Sequence, residues 1–234
     1  MFLISETDEF PDVELAAVAP NGLLAVGGSL TPERILNAYT RGIFPWYSAD
    51  DPILWWSPDP RAVLFSQHLK CSRSLRKTLK QQRFEISIDQ RFGAVIRACS
   101  EPRQGDARTW INPQIIYAYE QLHALGYAHS VEAWHAGQLV GGLYGVAIGK
   151  VFFGESMFAL HNNASKCAFV YLAKHLAHWQ YPLIDCQVQT AHLDSLGAVL
   201  IPRIQFVEYL QQYCFISTRP ATWQICLSLE QVLN

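Results

Sequence analysis

The sequence predicts an α+β fold, with a small N-terminal domain over residues 1–62 and a larger C-terminal domain over residues 63–234. Residues 1–62 are rich in Pro, Gly and Trp, and the pattern of apolar residues becomes regular only from residue 62 onward. Residues 129–158 show the alternation and turn residues of three antiparallel strands. Because 50% of the 234 residues are hydrophobic, the chain can bury one large core or two modest ones.

In the N-terminal domain, one helix is well marked. Thr31 is a favourable N-cap, Pro32 suits the first helical position, and Gly42 is expected to end the helix. Prolines at 52, 58 and 60 argue against a central strand or a helix. Residues 53–61 are therefore expected to form an irregular, aromatic-lined segment.

In the C-terminal domain, the order of predicted elements indicates a fold class. The elements are strands at 62–65 and 85–89 with a helix at 72–82 between them, a helix at 112–126, the three strands of 129–158, a helix at 164–179, a strand at 183–188 and a helix at 203–213. A meander followed by helix, strand and helix is typical of the acetyltransferase-like (GNAT-like) fold, a mixed sheet with flanking helices. This is an analogy of fold and does not determine function.

Composition and charge exclude several classes of protein. A net charge of −2 argues against binding nucleic acid through bulk charge, so any such binding requires a local patch. The N-terminus turns acidic at once, unlike a signal peptide, and no segment has the ~18–20 apolar residues of a membrane span. The six cysteines are scattered without a C-x-x-C pair, so no metal site is expected and free thiols in a reducing cytoplasm fit best.

Between Arg61 and Phe84 lies a basic segment without Asp or Glu. Four of its residues fall at helical spacing on one face: Arg73, Arg76, Lys77 and Lys80. Such a face can neutralise phosphates without reading a base sequence. The alternative is an ordinary solvated helix face.

Four tryptophans lie in Pro-rich or turn-adjacent contexts: Trp46, Trp55, Trp56 and Trp110. Exposed rings of this kind can stack on unpaired bases, an interaction worth about 1–3 kcal/mol per base. The alternative is that they fill the seam between the two domains.

Glu155 is the one carboxylate of the apolar segment 152–158. The segment does not match the G-x-S-x-G motif of serine hydrolases, because Phe158 stands where that motif requires Gly. A buried Glu is either paired or shifted in pKa, which makes Glu155 a site candidate. The alternative is a structural carboxylate held by backbone N–H groups or by an arginine.

Asp185 and Gln187 are expected to point to the same face of an apolar strand, with Cys186 on the other. If the Gln187 amide donates to the Asp185 carboxylate, its carbonyl oxygen remains able to accept a hydrogen bond from an amine. The alternative is a pair of buried polar residues that hold a loop.

Segments from about residue 10 to 206 resemble, in order, the leucyl/phenylalanyl-tRNA–protein transferase family. Arg108 departs from the family pattern, in which Gly is expected. The matching segments are PNGLLAVGG at 20–28, RGIFPW at 41–46, WWSPDPR at 55–61, TWI at 109–111, HSVE at 129–132, VGGLYG at 140–145, FGESMF at 153–158, ASK at 164–166, DCQ at 185–187 and SLGA at 195–198.

The resemblance implies roles for particular residues. The 3′-terminal adenosine of the tRNA is expected near Trp46 and Trp110, with Tyr39 close by, and the basic face at 73–80 is expected to hold the tRNA backbone. Glu155, Asp185 and Gln187 are expected at the reaction centre. A hydrophobic pocket for the aminoacyl side chain is expected from Leu143, Phe153, Met157, Phe169, Leu172 and Ile184.

The resemblance also implies an activity: transfer of Leu, Phe or Met from aminoacyl-tRNA to the α-amino group of proteins with N-terminal Arg or Lys, which tags them for N-end-rule degradation. The aminoacyl ester is already activated, so no cofactor is expected. In the resulting hypothesis Asp185 polarises Gln187, whose carbonyl aligns the amine, while Glu155 favours the basic acceptor. We expect a cytoplasmic monomer without a membrane partner.

Two other functions remain open. The strand order also suits an acyl-CoA-dependent N-acyltransferase, although residues 161–165 lack the glycines with which such enzymes hold pyrophosphate. A non-catalytic RNA-binding module would explain the basic helix and the tryptophans. It would leave Glu155, Asp185 and Gln187 without a purpose.

Overall fold

The computed structural model describes residues 1–102, 109–216 and 223–233. The N-terminal elements are β1 (Phe2–Ile4), β2 (Leu23–Gly27), α1 (Pro32–Thr40), β3 (Phe44–Pro45) and β4 (Leu54–Trp56). Their strands form a four-stranded sheet in the order β1-β2-β4-β3. β1 runs parallel to β2, and the other neighbours are antiparallel.

Helix α1 confirms its predicted boundaries. The Thr31 side chain accepts a hydrogen bond from the Arg34 backbone N–H, and Gly42 follows the helix with φ +80°, which a residue without Cβ adopts without strain. The buried face of α1 carries Ile35, Ala38 and Tyr39. This face brings the Tyr39 side chain to the site described below.

The prediction of an irregular segment over 53–61 was wrong for β4. This strand pairs with both β2 and β3, and Trp55 in its middle is fully buried, with Nε1 donating to the Gly27 carbonyl at 2.9 Å. Pro52 and Pro58 flank the strand instead of interrupting it. A three-residue strand needs no N–H from either proline, so the ladder forms between them.

The remaining strands form a seven-stranded mixed sheet, which confirms the coarse α+β prediction. The elements are β5 (Arg61–Phe65), α2 (Arg73–Lys80), β6 (Glu85–Ile88), α3 (Phe92–Ser100), α4 (Pro113–Ala124), β7 (Ala128–His135), β8 (Gln138–Ile148), β9 (Val151–Ala159), α5 (Ala164–His178), β10 (Leu183–Gln187), α6 (Ala191–Leu196), β11 (Val199–Ile201), α7 (Arg203–Tyr213) and α8 (Leu229–Leu233). The strand order is β11-β5-β10-β9-β8-β7-β6. β9 and β10 are parallel, and the other neighbours are antiparallel.

Two hydrophobic cores lie on opposite faces of this sheet. Residues of α1, α3, α4 and α7 contribute to the first, and residues of α2, α5 and α8 to the second. Because side chains alternate along a strand, Phe153 belongs to the first core and its neighbour Phe152 to the second. The first core also contains residues of the N-terminal sheet, such as Leu24.

Several details bear on the sequence predictions. Helix α3 was not predicted, and its N-cap residue Arg91 makes no side-chain capping hydrogen bond. The chain changes sheet between Trp56 and Arg61, and the domain boundary at residue 62 stays a prediction. Within the described parts of the chain, no helix has both the length and the apolar character needed to cross a membrane.

Candidate active site

A cavity of about 1100 Å³ lies at the carboxyl ends of the parallel strands β9 and β10. Its wall includes ten of the residues that the sequence singled out: Trp46, Trp110, Leu143, Glu155, Met157, Phe169, Leu172, Ile184, Asp185 and Gln187. The apolar members from β8, α5 and β10 belong to the second core, so the cavity has a rigid hydrophobic side. Of the polar members, Glu155 and Gln187 are in direct hydrogen-bond contact.

The positions predicted for Tyr39 and Phe153 need correction. Neither residue lines the cavity, because both are fully buried in the first core, where their ring centroids lie 4.8 Å apart. Strand alternation turns Phe153 away and presents Phe152 to the cavity instead. Tyr39 reaches the site only through its hydroxyl group, which contacts Glu155.

Asp185 forms a fully buried ion pair with Arg61. The Arg61 Nε and Nη2 atoms donate to the two carboxylate oxygens at 2.8 and 2.7 Å, and Nη1 donates to the Gly42 carbonyl at 3.0 Å. The guanidinium also packs against the rings of Phe44 and Phe206. Arg61 is therefore not part of the basic surface segment to which the sequence assigned it. The sequence did contain a signal for this ion pair: an arginine at the start of an apolar strand is expected to be buried and therefore to need a buried acceptor.

The hydrogen bond predicted between the Gln187 amide and Asp185 was wrong. Gln187 has φ +61°, and the register of β10 shifts between Asp185 and Gln187, so simple alternation no longer holds. The Gln187 backbone N–H donates to Asp185 Oδ1 at 2.9 Å, while its side-chain Nε2 donates to Glu155 Oε1 at 2.8 Å. Glu155, and not Asp185, orients the amide.

Glu155 confirms the expectation of a partnered carboxyl with a shifted pKa. The Tyr39 hydroxyl donates to Oε1 at 2.5 Å, and the Tyr119 hydroxyl lies 3.0 Å from Oε2. Desolvation raises the pKa of Glu155 to about 8, against the opposing effect that a hydroxyl group has where it donates to the carboxylate. Tyr119 of α4 was not among the site residues predicted from the sequence, because its helical spacing gives no indication of a polar contact.

The four tryptophans fall into different environments. Trp46 is 45% exposed and lines the cavity together with Trp110, whereas Trp55 is a core residue and has no free face for a base. The Trp56 Nε1 donates to the Trp46 backbone carbonyl at 2.6 Å, and this bond holds the backbone that carries the exposed Trp46 ring. Arg108, close to Trp110 in sequence, lies outside the described residues.

A sequence model described as leucyl/phenylalanyl-tRNA protein transferase matches residues 63–211, and a model of the N-terminal domain of the same proteins matches residues 28–59. The chain belongs to this family. Its matched regions contain Tyr39 and Trp46 in the first part, and Glu155 and Gln187 in the second.

Individual relatives agree with the family match. Proteins named leucyl/phenylalanyl-tRNA–protein transferase are 53% identical in Nitrosospira multiformis, over 98% of both chains, and 57% identical in Aromatoleum aromaticum, over 92% of this chain and 91% of the relative. A solved structure of L-PGS from Bacillus licheniformis is 12% identical, with a TM-score of 0.40 over 83% of this chain and 62% of that chain. That similarity is too low to support the GNAT-like assignment.

Helix α2 presents its basic residues to solvent, as the helical spacing predicted. Ser72 caps the helix, Leu75 and Leu79 are buried, and four basic side chains are exposed: Arg73, Arg76, Lys77 and Lys80. One of them is anchored, since Arg76 donates to the Leu233 carbonyl at the end of α8. The face therefore has the geometry to meet phosphates, and its role stays a prediction.

Proposed function

We propose that the protein transfers Leu, Phe or Met from aminoacyl-tRNA to the α-amino group of proteins with N-terminal Arg or Lys. The observation that carries the proposal is the composition of the cavity, in which an apolar wall and an exposed tryptophan converge on Glu155 and Gln187. An aminoacyl-adenosine has the matching parts, namely an apolar side chain, a base and an ester. Membership of the family supports the same activity.

The main task of the protein in this reaction is to position the ester and the amine, because the ester is already activated. No cofactor is needed for such a transfer. The Gln187 carbonyl accepts a hydrogen bond from the attacking α-amine, because its amide nitrogen is already engaged by Glu155. Asp185 acts through the backbone: held by Arg61, it accepts the Gln187 N–H and stabilises the bend that aims this side chain.

The donor is bound through apolar and stacking contacts. The adenine stacks on Trp46, with Trp110 beside it, and the aminoacyl side chain enters the wall formed by Leu143, Phe169 and Leu172. A methylene group changes binding in such a pocket by only about 1–3 kcal/mol, so Leu, Phe and Met are all accepted. Charged side chains are disfavoured because contact with these three apolar side chains removes water without supplying a polar partner.

The remaining proposals concern the rest of the molecule. The exposed basic face of α2 binds the phosphate backbone of the tRNA without reading its sequence. The C-terminal domain is assigned to the GNAT-like class because a meander leads through α5 into a strand parallel to β9. The protein acts as a monomer in the cytoplasm, where its modified substrates enter N-end-rule degradation.

The test is a transfer assay with tRNA charged with radiolabelled leucine and a protein that begins with Arg, in the absence of ATP and CoA. We expect label in the hot-acid-insoluble fraction, and none when the acceptor's N-terminus is acetylated. Failure of a folded sample that still binds the tRNA would favour the RNA-binding module. Transfer of an acyl group from acyl-CoA would favour the N-acyltransferase.

A matched pair of variants locates the reaction. Gln187→Ala removes the proposed acceptor for the amine and is expected to abolish most transfer while tRNA binding persists. Gln189→Ala changes a glutamine that bonds Asp194 and does not line the cavity, so it is expected to transfer at the wild-type rate. Equal rates for the two variants would contradict the role of Gln187.

A further inference from the structure

Three oxygen–oxygen contacts close a ring beside the cavity. The hydroxyl groups of Tyr39 and Tyr119 lie 2.5 Å apart, Tyr39 lies 2.5 Å from Glu155 Oε1, and Tyr119 lies 3.0 Å from Glu155 Oε2. All three distances are within hydrogen-bonding range. Each contact therefore requires one proton between its two oxygens.

Counting protons determines the state of the carboxyl group. Each tyrosine hydroxyl supplies one proton, and an ionised carboxylate supplies none, so an ionised ring has two protons for three contacts. In that state one of the three contacts has no proton; if both hydroxyl groups donate to Glu155, for example, their own oxygens meet at 2.5 Å with only lone pairs between them. A protonated Glu155 supplies the third proton and removes this conflict.

We propose that the ring of Tyr39, Tyr119 and Glu155 holds Glu155 as a neutral carboxylic acid at the wall of the cavity. In this ring Glu155 Oε2–H donates to Tyr119, Tyr119 donates to Tyr39, and Tyr39 donates to Glu155 Oε1. The Gln187 Nε2 donates to Oε1 as well, which the neutral acid accepts through its carbonyl oxygen. Tyr119, which no sequence motif indicated, becomes a positioning residue of the site.

The groups around Glu155 agree with the neutral form. Tyr39 faces it from α1, Tyr119 from α4 and Gln187 from β10; from β8, the buried Tyr144 hydroxyl has no hydrogen-bond partner among the described residues. Asp185 adds a negative charge that raises the pKa of Glu155, and the guanidinium of Arg61 is hydrogen-bonded to Asp185 instead.

The acidities agree with the same count of protons. Burial raises the pKa values of both Tyr39 and Tyr119, so each keeps the proton that the ring needs. Desolvation raises the pKa of Glu155 to about 8. At neutral pH all three protons are then present.

The catalytic use of this acid rests on the proposed function. The neutral α-amine attacks the ester carbonyl, so that an N–C bond forms and the C–O bond to the ribose breaks. Glu155 turns its Oε2–H from Tyr119 to the departing ribose oxygen and gives it the proton. The nitrogen then returns its surplus proton to Oε2, which restores the ring and leaves the enzyme unchanged. This role replaces recognition of the acceptor's positive charge, because a neutral acid has no negative charge to attract that acceptor.

Infrared spectroscopy of the full-length protein tests the protonation state without requiring activity. Protein labelled with ¹³C at the glutamate carboxyl groups is compared with labelled Glu155→Gln, and the difference spectrum isolates Glu155. We expect a protonated C=O band at neutral pH that disappears with a midpoint near pH 8. A carboxylate band at neutral pH would overturn the proposal, whatever the transfer assay shows.

Two tyrosine variants distinguish the ring from simple donation. In the ring, Tyr119 accepts the acid proton, so Tyr119→Phe is expected to lower the midpoint. If Tyr119 only donated to a carboxylate, its loss would raise the midpoint. Tyr117→Phe, on the same helix but 67% exposed, is the control and is expected to leave the midpoint unchanged. A raised or unchanged midpoint in Tyr119→Phe overturns the ring, and the wild-type spectrum decides if this variant does not fold.

Discussion

Asp185 and Glu155 lie on neighbouring strands and line a single cavity, yet they have opposite partners. Asp185 receives both of its main hydrogen bonds from the Arg61 guanidinium, whereas Glu155 is surrounded by two phenols and an amide. The negative charge of Asp185 is therefore matched by a fixed positive charge, whereas an ionised Glu155 would have no cation among these partners. Burial is the main cause of the raised pKa of Glu155, and the comparison shows that a buried carboxyl group stays a structural ion where a fixed cation is paired with it.

Removal of Arg61 is expected to have the largest effect, because it leaves Asp185 buried without its counter-ion. We expect Arg61→Leu to lower the free energy of unfolding in urea by about 3–5 kcal/mol. The matched control is Arg97→Leu, which breaks the exposed ion pair between Arg97 and Glu120 and is expected to cost under about 1 kcal/mol. Similar losses in the two variants would mean that the buried pair does not hold the site together.

The pH dependence of stability is expected to separate the two carboxyl groups next. The folded-state pKa of Glu155 is raised from 4.5 to about 8, so between these values the folded protein binds a proton that the unfolded chain lacks. The stability of the wild type relative to Glu155→Gln therefore falls as pH rises through this window, by about 1.4 kcal/mol per pH unit, and levels off above it. Urea unfolding of both proteins at several pH values measures this difference. A constant difference would show that Glu155 is ionised when folded.

Donor binding is expected to depend on the aromatic wall and on neither carboxyl group. We expect Trp46→Ala to weaken binding of aminoacyl-tRNA by about 1–3 kcal/mol, because it removes a stacking surface. Glu155→Gln should bind with the wild-type Kd, since its amide keeps the shape of the acid. The control is Tyr127→Ala, an aromatic residue that is 39% exposed and does not line the cavity. Equal losses in Trp46→Ala and Tyr127→Ala would remove Trp46 from the binding site.

The smallest effect is expected from single charges on α2. Lys77→Gln should weaken tRNA binding slightly and lower the slope of log K against log salt by about 0.7–0.9, the change for one lost phosphate contact. Arg91→Gln removes an exposed cation at the start of α3 and is expected to leave the slope unchanged. If the slopes of the two variants agree, the α2 face does not contact the tRNA backbone.

Local patterns predicted much of the fold and the identities of the polar residues, but they did not predict how those residues pair. Thr31 and Gly42 predicted the boundaries of α1, and the alternation over 129–158 predicted the meander. Gln187 has a positive φ, and its side chain therefore bonds to Glu155 and not to Asp185. The types of the neighbouring residues do not indicate this backbone conformation. Contacts between distant parts of the chain, such as Tyr119 with Glu155, depend on how helices pack on the sheet and not on local periodicity.

The most direct test of a neutral acid at the reaction centre is the pH profile of single-turnover transfer at saturating aminoacyl-tRNA. For the wild type, we expect a rate that rises as the acceptor's α-amine loses its proton and falls again above about pH 8, as Glu155 loses its own. Glu155→Gln should be slower throughout and should lack the falling limb. A falling limb that persists in Glu155→Gln, or a variant as fast as the wild type, would contradict the account.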